Sequence, residues 1–349
     1  MKHEEIKTIA DIARLAGVSP ATVSRVINNS GYVGKETRKK VEQIVKISGF
    51  RPNMAAKALA TSKTNLVGLI VPNLDNPVYL DILKGVNSAC MQQNYSVVLG
   101  QGGMEPDEIK ASMLHLASLQ VDGLILALSD YQYDEIQEYI VPVIRNNIPI
   151  VKTGKAIREA RIDGVLTDPF ETGKLAGQHL ARQGHERIVI LGERDTHHYF
   201  LHERVHGFKS AFLEHGIGMG NISEVPAELT QAGGYLAALD IFKQAQRPTA
   251  IFTLNDIMAV GVMMAADESA VSIPGDTAIM GIDGISLGSI IKPRLTTVAL
   301  PTFEMGQQLF ELLHARIEGD YAGDAREINY HGRLVSREST LSYTITSST

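Results

Sequence analysis

The sequence of 349 residues contains a single cysteine, Cys90, and no tryptophan. One thiol excludes an intrachain disulfide and leaves no partners for a cysteine-rich zinc site, so Cys90 reads as a core thiol in a reducing compartment. No apolar run approaches the ~20 residues that span a bilayer, and the charged stretch Met1 to Thr8 is no signal peptide. These readings place the chain in the cytoplasm, without a membrane partner. A P-loop and a Rossmann glycine fingerprint opening a helix are also missing, as are short-period repeats. Positive charge is scarce except at one end. Residues 1–63 carry twelve Lys and Arg against five Asp and Glu, a net +7; the whole chain nets −6, so residues 64–349 net −13. Only the first segment suits a polyanion. The length allows two or three domains with sizeable cores.

That basic segment contains a recognisable pattern. Ile9, Ile12, Ala13 and Ala16 recur at helical spacing, as do Val23, Val26 and Ile27, with Gly17 between the two groups as the site of a tight reversal. Ser19 is an N-cap candidate, and Pro20 falls at the first helical position, where a missing N–H costs nothing. The spacing predicts two short helices and a third over 36–47: a helix-turn-helix whose second helix begins at Pro20. Its outer face would present Ala21, Thr22, Ser24, Arg25 and Asn28. These are small residues for close approach to a groove, hydroxyls and an amide for phosphates, and a guanidinium for a guanine edge.

Beyond the third helix comes Phe50-Arg51-Pro52-Asn53-Met54-Ala55-Ala56-Lys57-Ala58-Leu59. With Ala16-Gly17-Val18-Ser19, the string Thr22 to Asn28, Asn255-Asp256 and Gly281-x-Asp283, it resembles the lactose-repressor (LacI/GalR) family of bacterial transcription regulators nearly end to end. The resemblance implies a hinge segment that becomes helical on DNA and inserts Leu59 into the minor groove. That use suits a short Ala-rich stretch with one exposed apolar side chain. DNA contacts are expected from Thr8, Ser19, Pro20, Ala21, Thr22, Ser24, Arg25, Asn28, Asn53 and Leu59. Lys57 departs from the arginine of many relatives, keeping charge without the fork geometry.

From Leu66 onward, short Val/Ile/Leu runs alternate with amphipathic stretches, the rhythm of parallel α/β units covered on both faces. Strands are expected at 66–71, 96–99, 123–128, 149–152, 187–191, 249–254 and 277–282. Helices are expected at 78–93, 107–119, 133–146, 171–183, 204–215, 235–244 and 256–268. The fold class is thus α/β: an all-α helix-turn-helix headpiece (1–52), a hinge (53–63), and a two-subdomain effector-binding and dimerisation domain like periplasmic binding proteins (64–349). The resemblance implies subdomains of approximately 64–160 plus 293–328, and 161–292 plus 329–345. Ligand would lie in the crevice at the carboxyl ends of the strands.

In that crevice the family match singles out Tyr79, Arg204, Asn255 and Asp283 as effector-binding. Side-chain chemistry alone offers plainer roles: core packing for Tyr79, a surface ion pair for Arg204, an N-cap for Asn255 and a turn for Asp283. Two departures weaken the carry-over of sugar contacts. Thr153-Gly154-Lys155 stands where relatives often carry aspartate, and Leu300 where a glutamine is frequent. Lys152, Lys155 and Arg204 point to an acidic or phosphorylated sugar, with solvated surface lysines as the commoner explanation.

Rival signals are weaker. His198, His202 and His206 share a helical spacing, with His197 adjacent, yet His197 and His198 fall in a loop, so no metal site is expected. Gly284-Ile285-Ser286-Leu287-Gly288 matches a nucleophile elbow but lacks supporting Asp and His motifs, so no catalytic residues or cofactor are expected. The sequence therefore reads as a non-enzymatic repressor of carbohydrate uptake or catabolism genes. Its partners would be double-stranded operator DNA, a small effector (sugar, sugar acid or sugar phosphate) and a second copy in a homodimer, since no leucine heptads for a tetramer follow Leu341. The alternatives are a solute-binding protein and, more remotely, a serine hydrolase.

Overall fold

Helix caps and burial on both faces of two sheets account for most of the architecture. A computed structural model describes residues 8–27, 30–50, 63–103, 105–128, 140, 143, 147–192 and 199–340. The expected DNA contacts Asn28, Asn53 and Leu59, the histidines His197 and His198, and most of the helix expected at 133–146 lie outside the described residues.

The chain divides into two units, 1–64 and 65–349. In the first, helix α1 (Ile9–Ala16) starts with a reciprocal cap: the Thr8 hydroxyl accepts from the Asp11 N–H, and the Asp11 carboxylate accepts from the Thr8 N–H. Gly17, at φ 66°, closes it in the left-handed conformation. Helix α2 (Pro20–Ile27) begins at Pro20, with the Ser19 hydroxyl accepting from the Thr22 N–H at 3.1 Å. Helix α3 (Lys35–Ser48) covers the other two, and Ile12, Ala13, Ala16, Val23, Val26 and Val41 form the shared core. A core this small makes each cap, worth about 1 kcal/mol, a sizeable share of stability.

The second unit contains two sheets. The first comprises β1 (Leu66–Val71), β2 (Ser96–Gln101), β3 (Gly123–Leu126), β4 (Ile150–Thr153), β5 (Asp163–Thr167) and β11 (Glu327–Tyr330), in the order β11-β5-β4-β3-β1-β2. The second comprises β6 (Ile188–Gly192), β7 (Ile222–Pro226), β8 (Ala250–Thr253), β9 (Ala278–Asp283), β10 (Thr296–Ala299) and β12 (Arg333–Val335), in the order β12-β10-β9-β8-β6-β7. Pairing is parallel throughout, apart from β10 with β12. Neighbouring residues serve opposite faces. Val67, Leu69 and Val71 of β1 pack into the core under α4 (Pro77–Gln92) and α10 (Thr302–Ile317), while Ile70 joins the opposite core with α5 (Pro106–Ser118). On that second face Gly68 is required by space, because a Cβ there would sit 2.5 Å from Leu124 Cδ2. In the other half, α6 (Pro169–Arg182) packs on α7 (Tyr199–Glu214), and α8 (Gln231–Phe242) on α9 (Asp256–Glu268).

The boundaries between the halves differ from expectation. β5, expected beyond a crossing near 160, belongs to the first sheet; β10, expected in the first half, belongs to the second. The chain therefore crosses after Thr167, after Ala299 and between Tyr330 and Arg333. β5 opens with an aspartate and a glycine, which hides it from a hydropathy reading. Asp163 is nonetheless buried, because Arg316 and Arg326 both hold it: Arg316 Nε donates at 2.8 Å and Arg326 Nη2 at 2.7 Å. Helix α7 also starts at Tyr199 rather than Arg204.

Candidate functional site

Between the carboxyl ends of the two sheets lies a cavity of about 850 Å³, where doubly wound sheets place ligands. Tyr79, Arg204, Asn255 and Asp283 all line it. Tyr79 is carried by α4, whose start is fixed by Asn76: its Oδ1 accepts from the Val78 N–H and Pro77 occupies the first turn. Arg204 projects from α7. On the same wall as Arg204, Asp283 ends β9 and Asn255 follows β8 by two residues.

Arg204 is only 5% exposed. Nη1 donates to the Leu254 carbonyl at 2.7 Å, Nη2 stands 3.6 Å from Asp283 Oδ1, and the guanidinium lies 4.3 Å from the centre of the Phe200 ring. Its Nε is buried with no hydrogen-bond partner among the described residues. Burial lowers the Arg204 pKa, while Asp283, Asp256 and Tyr79 oppose that shift. Burial likewise pushes the Asp283 carboxyl up to about 6, against the attraction of Arg204. The Tyr79 hydroxyl is pushed up to about 12, chiefly by burial and further by Asp283. A desolvated donor–acceptor pair of this kind recognises a group offering both a donor and an acceptor, such as a hydroxyl.

Asn255 combines both readings given to it. It lines the cavity, yet its Oδ1 caps α9 by accepting from the Met258 N–H at 2.9 Å, and its Nδ2 donates to the Leu229 carbonyl at 3.0 Å. Thr153, Gly154 and Leu300 also line the cavity. Lys152 and Lys155 do not, which corrects the expectation of a cationic lining. Lys152 is 2% exposed and its ammonium donates to the Lys155 carbonyl at 3.2 Å, so it is not a solvated surface lysine either.

Two residues of the site carried no role in the sequence reading. Phe200 lies before the point where α7 was expected to begin. Asp256 entered only within the Asn255-Asp256 pair that carries the resemblance, but it is wholly buried between α9 and the β9–β10 connection. The signal available for it was the pair Gly281 and Gly284, neither of which leaves room for a side chain.

The headpiece surface is simpler. Ser19, Pro20, Ala21 and Arg25 are exposed, Thr22 and Ser24 half-buried, and Thr8 exposed at its cap. The Arg25 side chain passes Gly31, where a Cβ would lie 3.6 Å from its Cδ. His206 packs edge-on to Phe170, 6.4 Å from the His202 ring, and no group of three metal-binding side chains occurs among the described residues. At the elbow-like sequence, Gly284 and Ile285 give their N–H groups to Asp256, and Ser286 sits on a short 3-10 turn rather than an α-helix. No helix of the described residues is long and apolar enough to cross a membrane.

Comparison with known proteins agrees with this architecture. The chain is 34% identical over 339 residues to the HTH-type transcriptional repressor PurR of Proteus mirabilis, covering 95% of this chain and 96% of that protein. It is 30% identical over 336 residues to catabolite control protein A of Priestia megaterium, covering 95% and 99%. Among solved structures, the lac repressor dimer bound to operator and the anti-inducer ONPF superposes with a TM-score of 0.80 at 26% identity, covering 96% of this chain and 99% of that one. A LacI family regulator from Enterococcus faecium with bound ribose gives 0.70 at 31%, covering 79% and 98%. Residues 64–339 match the family described as periplasmic binding proteins and sugar binding domain of LacI family, and residues 8–53 match bacterial regulatory proteins, lacI family. A repressor-like headpiece and a binding-protein-like core thus occur in one chain, and the chain belongs to the LacI family of bacterial regulatory proteins.

Proposed function

We propose that the protein is a cytoplasmic transcriptional repressor that binds a pseudo-palindromic operator as a homodimer and releases or retains it in response to a small sugar-like effector. Residues 1–52 would read DNA, 53–63 would form the hinge with Asn53 and Leu59 at the minor groove, and 64–349 would bind effector and dimerise. Thr8, Ser19, Pro20, Ala21, Thr22, Ser24 and Asn28 would position the headpiece, with Arg25 reading a guanine. A single such motif reads few bases, so a two-fold pair matches adjacent major-groove faces.

The observation that carries this reading is the joining of a basic three-helix unit to a core whose cavity holds a desolvated Arg204–Asp283 pair opposite Tyr79. That pair is internally balanced, and Asp75 adds negative charge to the cavity wall. An uncharged sugar suits it better than a sugar acid or phosphate, and carbohydrate uptake or catabolism genes are the targets such an effector would report on.

The full-length protein is used to select its operator from random duplexes, and anisotropy titrations then follow operator affinity against neutral sugars, sugar acids and sugar phosphates. One selected sequence and a response to an uncharged sugar are expected. Arg25→Ala should lose about 10- to 100-fold on the operator and less on random DNA. Failure to select any sequence would overturn the repressor reading, and a response confined to phosphates would overturn the effector class.

A further inference from the structure

Asp256 does not line the cavity, yet the geometry of the charged wall depends on it. Its Oδ2 accepts two consecutive backbone N–H groups, Gly284 at 2.7 Å and Ile285 at 2.9 Å. Paired N–H groups of this kind form a nest for an oxygen. The residue just before them, Asp283, has φ 120°, a region that residues with a Cβ rarely occupy and that costs of order 1–3 kcal/mol unless the surroundings enforce it. Gly284 follows at φ 80°, where a Cβ would meet that of Ala299 at 2.5 Å. On the other side of the carboxyl, Gly281 leaves space that a Cβ would fill to within 2.2 Å of Oδ1. Oδ1 itself is buried with no hydrogen-bond partner among the described residues.

We propose that Asp256 is the positioning residue of the effector cleft: without reaching the cavity, its carboxyl pins the backbone of 284–285 and so forces Asp283 into the conformation that presents it to Arg204. The inference rests on this cleft being the effector site, but its test needs no effector. The two N–H groups favour the carboxylate, whereas burial beside Asp283 favours the uncharged acid. The charged groups that face it are Asp283 on β9 and Arg204 on α7, the first opposing its ionisation and the second favouring it. Burial, reinforced by Asp283, pushes the Asp256 carboxyl up to about 8, with the two N–H groups acting in the other direction.

Crystal structures of full-length Asp256→Asn and Asp256→Ala provide the test. Asparagine offers the same accepting oxygen and a neutral partner in place of the protonated one. It should keep Asp283 at positive φ and the Arg204–Asp283 separation within about 0.5 Å of the parent. Alanine should let Asp283 return to negative φ and move off Arg204. An alanine variant that retains both features overturns the proposal. Should that variant fail to fold, melting temperature against pH decides. The parent should lose stability as pH rises from about 4 towards 8, because the folded state holds a proton that the unfolded chain releases. Asp256→Asn should lack that share of the decline. Equal slopes for parent and Asp256→Asn overturn the neutral-acid brace.

Discussion

The two walls of the cleft are built on different principles. The wall of the second sheet carries charge removed from water: Arg204 at 5% exposure, Asp283 at 6% and Asp256 fully buried behind them. On the first sheet's wall Asp75 is exposed to water, and Asn73, Asn76 and Thr153 are engaged with backbone. Asn73 accepts from the Asn76 N–H at 3.2 Å, Asn76 from Val78 at 3.1 Å, and the Thr153 hydroxyl donates to the Leu128 carbonyl at 2.8 Å. Tyr79 adds a ring backed by the apolar core of that half. One wall therefore sets desolvated charge against a ligand, while the other supplies shape and a solvated carboxylate, Asp75. A desolvated charge is sensitive to loss of its partner in a way that a capped turn is not.

That contrast can be tested directly. The largest effect is expected from Arg204→Ala, which leaves Asp283 buried beside the cavity without its cation and should cost about 3 kcal/mol in urea unfolding at pH 7.5. The cost should shrink at pH 5, since the Asp283 carboxyl already stands near 6 with Arg204 present and takes up a proton once the cation is gone. A loss of the same size at both pH values would mean that the two walls do not differ in this respect. Next comes Asn76→Ala, which removes an N-cap and should cost about 1 kcal/mol, equally at both pH values. Smallest is Tyr79→Phe. The ring and its packing remain, so unfolding stability should stay within about 0.5 kcal/mol of the parent. A ligand that uses the hydroxyl should nevertheless bind more weakly, as isothermal titration would record.

The sequence was legible where local rules and tertiary packing agree. β1 at Leu66–Val71, α9 at Asp256–Glu268 and the start of α2 at Pro20 fall where hydropathy and capping place them. Legibility failed where distant residues change the meaning of a local signal. Asp163 reads as a loop residue until Arg316 and Arg326, more than 150 positions away, pair with it inside a strand. Lys152 and Lys155 look like ligand contacts only while their backbone surroundings are unknown. The same holds for Asp256, whose partners lie 28 and 29 residues ahead. Arg204, Asn255, Asp283 and Tyr79 were nominated by resemblance rather than by their own chemistry. Their common placement around one cavity follows from strand order, which no short stretch of sequence encodes.

The three crossings between the sheets have a mechanical consequence. They leave from β5, β10 and β11 and, in the last case, enter β12 after two residues, His331 and Gly332; each of these strands is at, or next to, the same edge of its sheet. Bodies joined at several points along one edge can swing about that line, as a book opens on its spine, while sliding and twisting are resisted. Within the second unit the angle of the cleft is therefore the direction that these connections restrain least. A ligand that drew Arg204 and Asp283 towards Tyr79 would deliver its work into that angle rather than disperse it over six rigid-body freedoms.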